Sequence, residues 1–260
     1  MPPESLSPSQ MNLYLTCSLK YRFQYVDKLP KRTQSANLVF GGAIHAALEW
    51  LHKDRKAGRQ PPLDEILRVF EGDWHAQLLG ATVVFADNGD SAEAMVRKGK
   101  ELLSQFYHLF ACPVQDAELH FQLPLVNPTT KAALAVPLRG VIDLVEAGDI
   151  LDEFKTSQKS WSATDLPDNI QLTAYAYAFQ MLFGRPPKQL RLINLVRTKS
   201  PKIEPLTTER GEADYVRLFH LGKEFLNGVT HQVFLPNRGC WMCKDCEYSR
   251  DCREWTGNDA

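Results

Sequence analysis

No apolar run in the 260 residues approaches the roughly 20 consecutive apolar positions a helix needs to cross a bilayer. The first ten residues, MPPESLSPSQ, have neither the basic nor the apolar region of a secretory signal. Both absences predict no membrane association and an intracellular, cytoplasmic, reducing location. Neither sign of charge is in excess. Thirty Lys and Arg stand against 31 Asp and Glu, so a polyanion could be held only by local patches. No G-x-x-x-x-G-K-[ST] loop is present, which excludes an ATP-driven motor within the chain. There is no internal repeat and no low-complexity tract. Six cysteines at this length do not make the disulfide framework of a small secreted protein, and four of them crowd the stretch from Cys240 to Cys252. What is present, 44% hydrophobic and 23% charged residues, suffices for a sizeable core in one large domain or two small ones.

The stretch Gly140–Thr156, GVIDLVEAGDILDEFKT, carries the densest chemical signal. It reads as two apolar strands joined by a turn at Ala147-Gly148-Asp149. Asp143 lies in the first strand, and Asp152, Glu153 and Lys155 in the second. Charges in strands otherwise made of Val, Ile, Leu and Phe are costly to bury unless they pair or hold a metal. The hairpin is therefore either a structural ion-pair cluster or a hydrolytic metal site. Alternation places Leu151, Glu153 and Lys155 on one face and Asp152 on the other. A turn with an odd number of residues sets Asp143 opposite Glu153; an even one sets it opposite Asp152.

Ser7-Pro8-Ser9-Gln10 predicts a helix start, with the helix running through Cys17 toward Tyr25. Its later part mixes Lys20, Arg22, Lys31 and Arg32 with Tyr21, Phe23 and Tyr25. That mixture is either a phosphate-and-base surface or the solvent face of an amphipathic helix. A second helix, AIHAALEWLHKDRKAG, carries His45 beside its apolar face. Further helices are expected at Leu63–Leu79 and Ser91–Ala111, with a loop at Gly80–Asp90 between them, then a strand at Ala117–Val126 containing Glu118. After the hairpin come a helix ending at Gly184, with Gln171 and Tyr175 on one face, and a strand at QLRLINLVRT. A short strand near Lys202–Leu206 and a helix from about Glu212 to Val229 follow. Cys240, Cys243, Cys246 and Cys252 form C-x2-C-x2-C-x5-C, which lets several thiolates converge on one centre. A zinc site could use these four. An iron–sulfur cluster could use three of them plus Cys17 on the first helix, tying the chain ends together.

In this order the motifs resemble those of the RecB-like branch of the PD-(D/E)xK nuclease superfamily. More narrowly, the chain is similar to members with an iron–sulfur clasp: the AddB nuclease domain and the CRISPR-associated adaptation exonucleases. The matching elements are LSPSQMNLYLTC, GGAIHAALE, GVIDLV, DEFKT, QLTAYAY and the final C-x2-C-x5-C. The chain departs from the family pattern at Ser18, where Pro is frequent, at Glu153, where Asp is frequent, and in the additional Cys240. The resemblance implies an α/β (α+β) restriction-endonuclease-like core, a central mixed β-sheet flanked by helices. One nuclease domain would span 1–260, with a helical insertion at about 50–111 and a cysteine-rich clasp at about 236–255. It implies a DNA exonuclease acting on single strands or ends in repair, recombination or CRISPR adaptation, with Mg2+ or Mn2+ held by His45, Asp143, Glu153 and the Phe154 carbonyl. Asp143, Glu153, Lys155, Gln171 and Tyr175 would be catalytic, with Lys155 chiefly positioning water and stabilising charge. Cys17, Cys243, Cys246 and Cys252 would hold a [4Fe-4S] cluster. Lys20, Arg22, Lys31 and Arg32 would contact DNA, and a helicase or CRISPR adaptation proteins would be partners. The competing readings are a catalytically weak DNA-end-binding subunit of a helicase–nuclease complex, and a zinc-tail protein whose hairpin acids are structural.

Overall fold

A computed structural model describes residues 3–85, 91–255 and 257 of the chain. Cα packing divides it into two units, one of Gln34–His120 and Val141–Glu209, the other of Met1–Thr33, Phe121–Gly140 and Arg210–Ala260.

The first unit begins with β1 (Gln34–Ser35), which pairs in parallel with β2 (Val83–Val84). Helix α3 (Ala36–Lys56) follows, capped by the Ser35 hydroxyl, which accepts from the Leu38 amide at 3.3 Å. Helices α4 (Leu63–Gly80) and α5 (Ala92–Leu109) agree with the expected spans to within two residues. The loop expected at Gly80–Asp90 contains β2 in its first half; residues 86–90 lie outside those described.

A five-stranded sheet runs in the order β3 (Val114–Leu123), β4 (Leu138–Glu146), β5 (Ile150–Ser157), β6 (Gln189–Val196), β7 (Lys202–Thr208). β4 and β5 are antiparallel, β5 and β6 parallel, β6 and β7 antiparallel. The sheet is thus mixed, as expected. The parallel pair needs a crossover, and α6 (Ile170–Phe183) supplies it. α6 ends at Gly184, whose φ of +70° is the left-handed cap that glycine adopts without a Cβ penalty.

The helices expected as an insertion at about 50–111 share one apolar core with the sheet. Phe70, Trp74, Leu102 and Phe106 are buried in the same cluster as Leu144, Phe154, Ile193 and Leu195. These four strand residues lie on the face of Asp152, since they are even-spaced from it or cross-strand to it. The opposite face, bearing Leu151, Glu153 and Leu192, is buried too, and α6 packs on β5 and β6.

In the second unit, the single helix expected from Ser7 toward Tyr25 is interrupted. α1 (Pro8–Thr16) stops at Cys17, whose backbone is extended (φ −158°, ψ 99°), and α2 (Ser18–Tyr21) restarts the chain, ending in a π-turn at Arg22–Val26. The break is held from the distant tail: the Leu19 amide donates to the Leu235 carbonyl at 3.1 Å, and Ser18 Oγ accepts from the Leu235 amide at 2.7 Å. α7 (Glu212–Thr230) comes within reach of α1, where Gly228 leaves room for Tyr14; a Cβ there would lie 2.1 Å from the Tyr14 hydroxyl. α8 (Ser249–Trp255) closes the described chain. Among the described residues no helix is long and apolar enough to cross a membrane.

Candidate active site

The hairpin turn decides which acids meet. It holds three residues, Ala147–Asp149, with Gly148 and Asp149 at φ +94° and +66°. Arg185 fixes it by donating from Nε and Nη2 to the two Asp149 oxygens at 2.9 and 2.7 Å. The ladder pairs Glu146 with Ile150, Val145 with Leu151 and Leu144 with Asp152. One step further sets Asp143 opposite Glu153. There the side chain takes over from the ladder: Asp143 Oδ2 accepts from the Phe154 amide at 2.8 Å.

The hairpin acids divide between the two faces of the sheet. On the face of the large apolar core, Arg191 donates from Nε and Nη2 to Asp152 at 2.6 and 2.7 Å, and from Nη2 to Glu146 at 2.5 Å. Burial pushes Asp152 up to about 7 against the pull of Arg191, while the pairing raises the guanidinium. Arg191 and Glu146 escaped the sequence reading. Their signal, a cation at the parallel partner position of Asp152, exists only once β5 and β6 are in register.

On the other face Glu153 is 1% exposed. Lys155 is in ion contact with it, and the Tyr175 hydroxyl is a further hydrogen-bonding neighbour. Asp143 is raised well above its ordinary range, first by burial and then by the charge of Glu153. Lys155 is pulled down by burial but up more strongly by Glu153 and Asp143, so it remains an ammonium. Its Nζ donates to Gln171 Oε1 at 2.8 Å, and Gln171 Nε2 donates to the Tyr175 hydroxyl at 2.7 Å. Tyr175 is a neutral phenol, pushed up by burial and then by Glu153 and Asp143. The first turns of α6 thus set a relay of hydrogen bonds onto Lys155.

His45 comes from α3, with Nδ1 3.8 Å from Asp143 Oδ2. Burial lowers its pKa, and the Phe154 backbone is among its neighbours, so the imidazole is neutral and able to ligate a cation. Gly41, one turn earlier, lets α3 approach β5: a Cβ there would stand 3.0 Å from Thr156 Oγ1. One turn beyond the next, His52 stacks on the Phe154 ring at 5.6 Å, fully buried and neutral, its pKa lowered to about 3 by burial. Glu118 has a positive φ of 53° within β3, and its carboxyl is pushed up to about 7, by burial first and then by Glu49. Glu153 is among the charges that Glu118 feels, which sets it at the margin of the site. Among the described residues no group of three or more His, Cys, Asp or Glu side chains is gathered closely enough to hold an ion. In this arrangement the Lys155 ammonium is the cation nearest Glu153.

The other predicted residues lie in the second unit. Cys17, Cys240, Cys243, Cys246 and Cys252 line one cavity of about 570 Å3, with Phe23 and Tyr248 among its apolar walls. The four basic residues expected at DNA are each engaged in an ion pair. Lys20 and Lys31 both reach Glu247, at 2.7 and 3.7 Å, Arg32 reaches Asp251 at 3.7 Å, and Arg22 reaches Asp27 at 3.0 Å. Of the interleaved aromatics, Tyr21 and Phe23 are buried and Tyr25 is half-buried.

Comparisons with known proteins bear on the fold and the family. The "Gene 69 protein" of Mycobacterium phage D29 is 26% identical over 277 residues, covering 95% of each chain. A Eubacterium rectale protein called "Putative exonuclease" superposes with a TM-score of 0.60 at 10% identity, over 94% of this chain and 88% of its own. It shares the fold. A third structure, SSO0001, aligns over 94% of this chain and 92% of its own at 16% identity, but its TM-score of 0.37 carries no argument. The model of the PD-(D/E)XK nuclease superfamily matches residues 5–253, and the chain belongs to that superfamily of nucleases.

Proposed function

We propose that the protein is a divalent-cation-dependent DNA exonuclease acting on single strands or ends, with Mg2+ or Mn2+ at the hairpin and a [4Fe-4S] cluster in the tail. One observation carries the nuclease site: Asp143 and Glu153 are buried face to face, and the charge of Glu153 adds to burial in raising Asp143. Two such carboxylates are stable together only with a proton or a cation between them, so the residues fit a hard cation. Asp143, Glu153, neutral His45 and the Phe154 carbonyl would hold it. When bound, it supplies Lewis-acid polarisation of a phosphodiester and a lowered pKa for water.

The chain's own residues do the rest. Lys155, held as an ammonium, donates to the attacking water or to a phosphate oxygen and offsets the charge that develops there. It cannot serve as a general base while both carboxylates keep it protonated. Gln171 fixes the direction of Nζ, and Tyr175 fixes the Gln171 amide. The exonuclease activity draws on the description of the Eubacterium rectale protein and on the ordered motifs. A helicase or CRISPR adaptation proteins as partners, and a cytoplasmic location, draw on the motifs and composition alone.

The cavity supports the cluster. Its lining includes all five thiols, Cys17 among the tail cysteines, so one cavity brings together the residues that a polynuclear centre would use. Burial raises Cys243, Cys246 and Cys252, and the Cys17 thiol acts on all three, whereas Cys240 acts on Cys243. That favours Cys17 as the fourth ligand. The cluster would then join the tail to the break between α1 and α2.

Digestion of end-labelled single- and double-stranded DNA with Mg2+ or Mn2+, beside Asp143→Ala, tests the site. Cleavage by the variant at the wild-type rate would sink it. End binding without cleavage by either protein would leave the catalytically weak subunit. For the tail, the protein purified without oxygen should be brown; a colourless protein with stoichiometric zinc overturns the cluster.

A further inference from the structure

Burying a ring N–H without an acceptor destabilises a fold, so a buried histidine normally finds one. His52 does not. It is 1% exposed, and neither of its nitrogens has a hydrogen-bond partner among the described residues. Its neighbours are aromatic instead. The Phe154 ring lies nearly parallel to it, with 7° between the planes and 5.6 Å between the centroids. Phe106 of α5 stands edge-on to both rings, at 5.7 Å from His52 and 5.4 Å from Phe154. These are the offset-stacked and edge-to-face arrangements that aromatic quadrupoles favour. A leucine would fill such a slot with no N–H left over, but without a flat face.

The stack reaches the candidate active site through one residue. Phe154 stands between Glu153 and Lys155 on β5, and alternation sends its ring to the face opposite theirs. Its amide donates to Asp143 Oδ2 at 2.8 Å, and its backbone is also a hydrogen-bonding neighbour of His45. His45 and His52 lie about two turns apart on one side of α3, and the His45 ring is edge-on to Phe154 at 6.4 Å. Helix α3 therefore meets the Phe154 ring twice, while the Phe154 backbone meets both Asp143 and His45. A ring held on the core face fixes the Cα–Cβ direction of Phe154. With it are fixed the planes of the peptides that carry those hydrogen bonds.

We infer that His52 is a positioning residue for the cation site, acting through its stack on Phe154. The role rests on the cation reading of Asp143, Glu153, His45 and the Phe154 carbonyl given above. His52 itself touches neither cation nor substrate. It supplies a flat face that holds the Phe154 ring in one orientation, and an aliphatic side chain in its place would let that ring tilt. Residues that orient metal ligands from behind set metal affinity by roughly 10- to 100-fold.

The test is Mn2+ binding by the full-length protein without DNA, read as the rise in Tm across a Mn2+ titration. His52→Leu should raise the half-saturating Mn2+ concentration about 10-fold. His52→Phe, which keeps a flat ring, should stay within about 3-fold of wild type. Cleavage by His52→Leu should show the same shift in its Mn2+ dependence and recover at saturating Mn2+. A residue that only fills the core would lower Tm in EDTA and leave the Mn2+ response unchanged, and that result overturns the inference. So does a His52→Phe protein that binds Mn2+ as weakly as His52→Leu. Should His52→Leu fail to fold, Phe154→Leu breaks the same stack from its other ring, and an unchanged half-saturation there is the overturning result. A wild type whose Tm is not moved by Mn2+ removes the cation site and this role together. A responsive wild type matched by His52→Leu removes the role alone.

Discussion

Asp152 and Glu153 are adjacent, are both carboxylates and are equally buried, yet the structure treats them in opposite ways. Asp152 faces the large apolar core and has a bidentate guanidinium, whose second purpose is Glu146. Glu153 faces α6, with the Lys155 ammonium and the Tyr175 hydroxyl as partners and the like charge of Asp143 opposite. Burial alone therefore does not distinguish a structural acid from a functional one. Their neighbours do: Asp152 meets a guanidinium through two hydrogen bonds, whereas Glu153 and Asp143 face each other with an ammonium and the neutral His45 imidazole at the edge of the pair, at the cost of like-charge repulsion.

The sharpest break of this comparison is activity. Lys155→Ala should lower DNA cleavage on the order of 100- to 1,000-fold, with circular dichroism unchanged. Asp143 can take a proton when Lys155 is lost, which limits the damage to the fold. Arg191→Leu should do the reverse. It strands Asp152 and Glu146 without a partner and should cost about 3–5 kcal/mol in urea unfolding. The surviving folded fraction should still cleave.

Tyr175→Phe should lower cleavage by roughly 2- to 10-fold, since its hydroxyl contacts both the Gln171 amide and Glu153. The loss frees the Gln171 amide to turn away from Lys155. The smallest effect is on stability. Asp143 titrates above its ordinary 3.8 in the folded chain, so the folded state keeps a proton that the unfolded chain gives up as pH rises past 3.8. Stability of the cation-free protein then falls across that interval, from 3.8 upward. Asp143→Asn removes the titration. Its Tm in EDTA should exceed that of wild type at pH 8, and the difference should shrink toward pH 4. A constant difference would mean that Asp143 is ionised throughout.

Much of the site was legible because strand alternation and motif order are local. Glu153 and Lys155 on one face, a helix stop at Gly184, and helices at 63–80 and 92–109 all follow from spacing. The register was not legible. It hinges on a three-residue turn whose left-handed Asp149 is clamped by Arg185, a residue 36 positions later. The N-terminal helix looked continuous because nothing near Cys17 forbids it. The break is stabilised by Leu235, more than 200 residues away. The ion pairs of Lys20 and Arg32 were not legible because their acids, Glu247 and Asp251, lie at the other end of the chain.

By itself the sequence determined the inventory of chemistry: which acids could be buried, which face each strand residue takes, and which thiols could share a centre. Those depend on residue type and on periods of 2 and 3.6. Tertiary structure decided the partners. It set Asp143 against Glu153, gave Arg191 to Asp152, and brought Cys17 and the tail cysteines to one cavity. Each of those outcomes depends on groups far apart in the chain, whose meeting is fixed by packing and register and by nothing within reach of a local pattern.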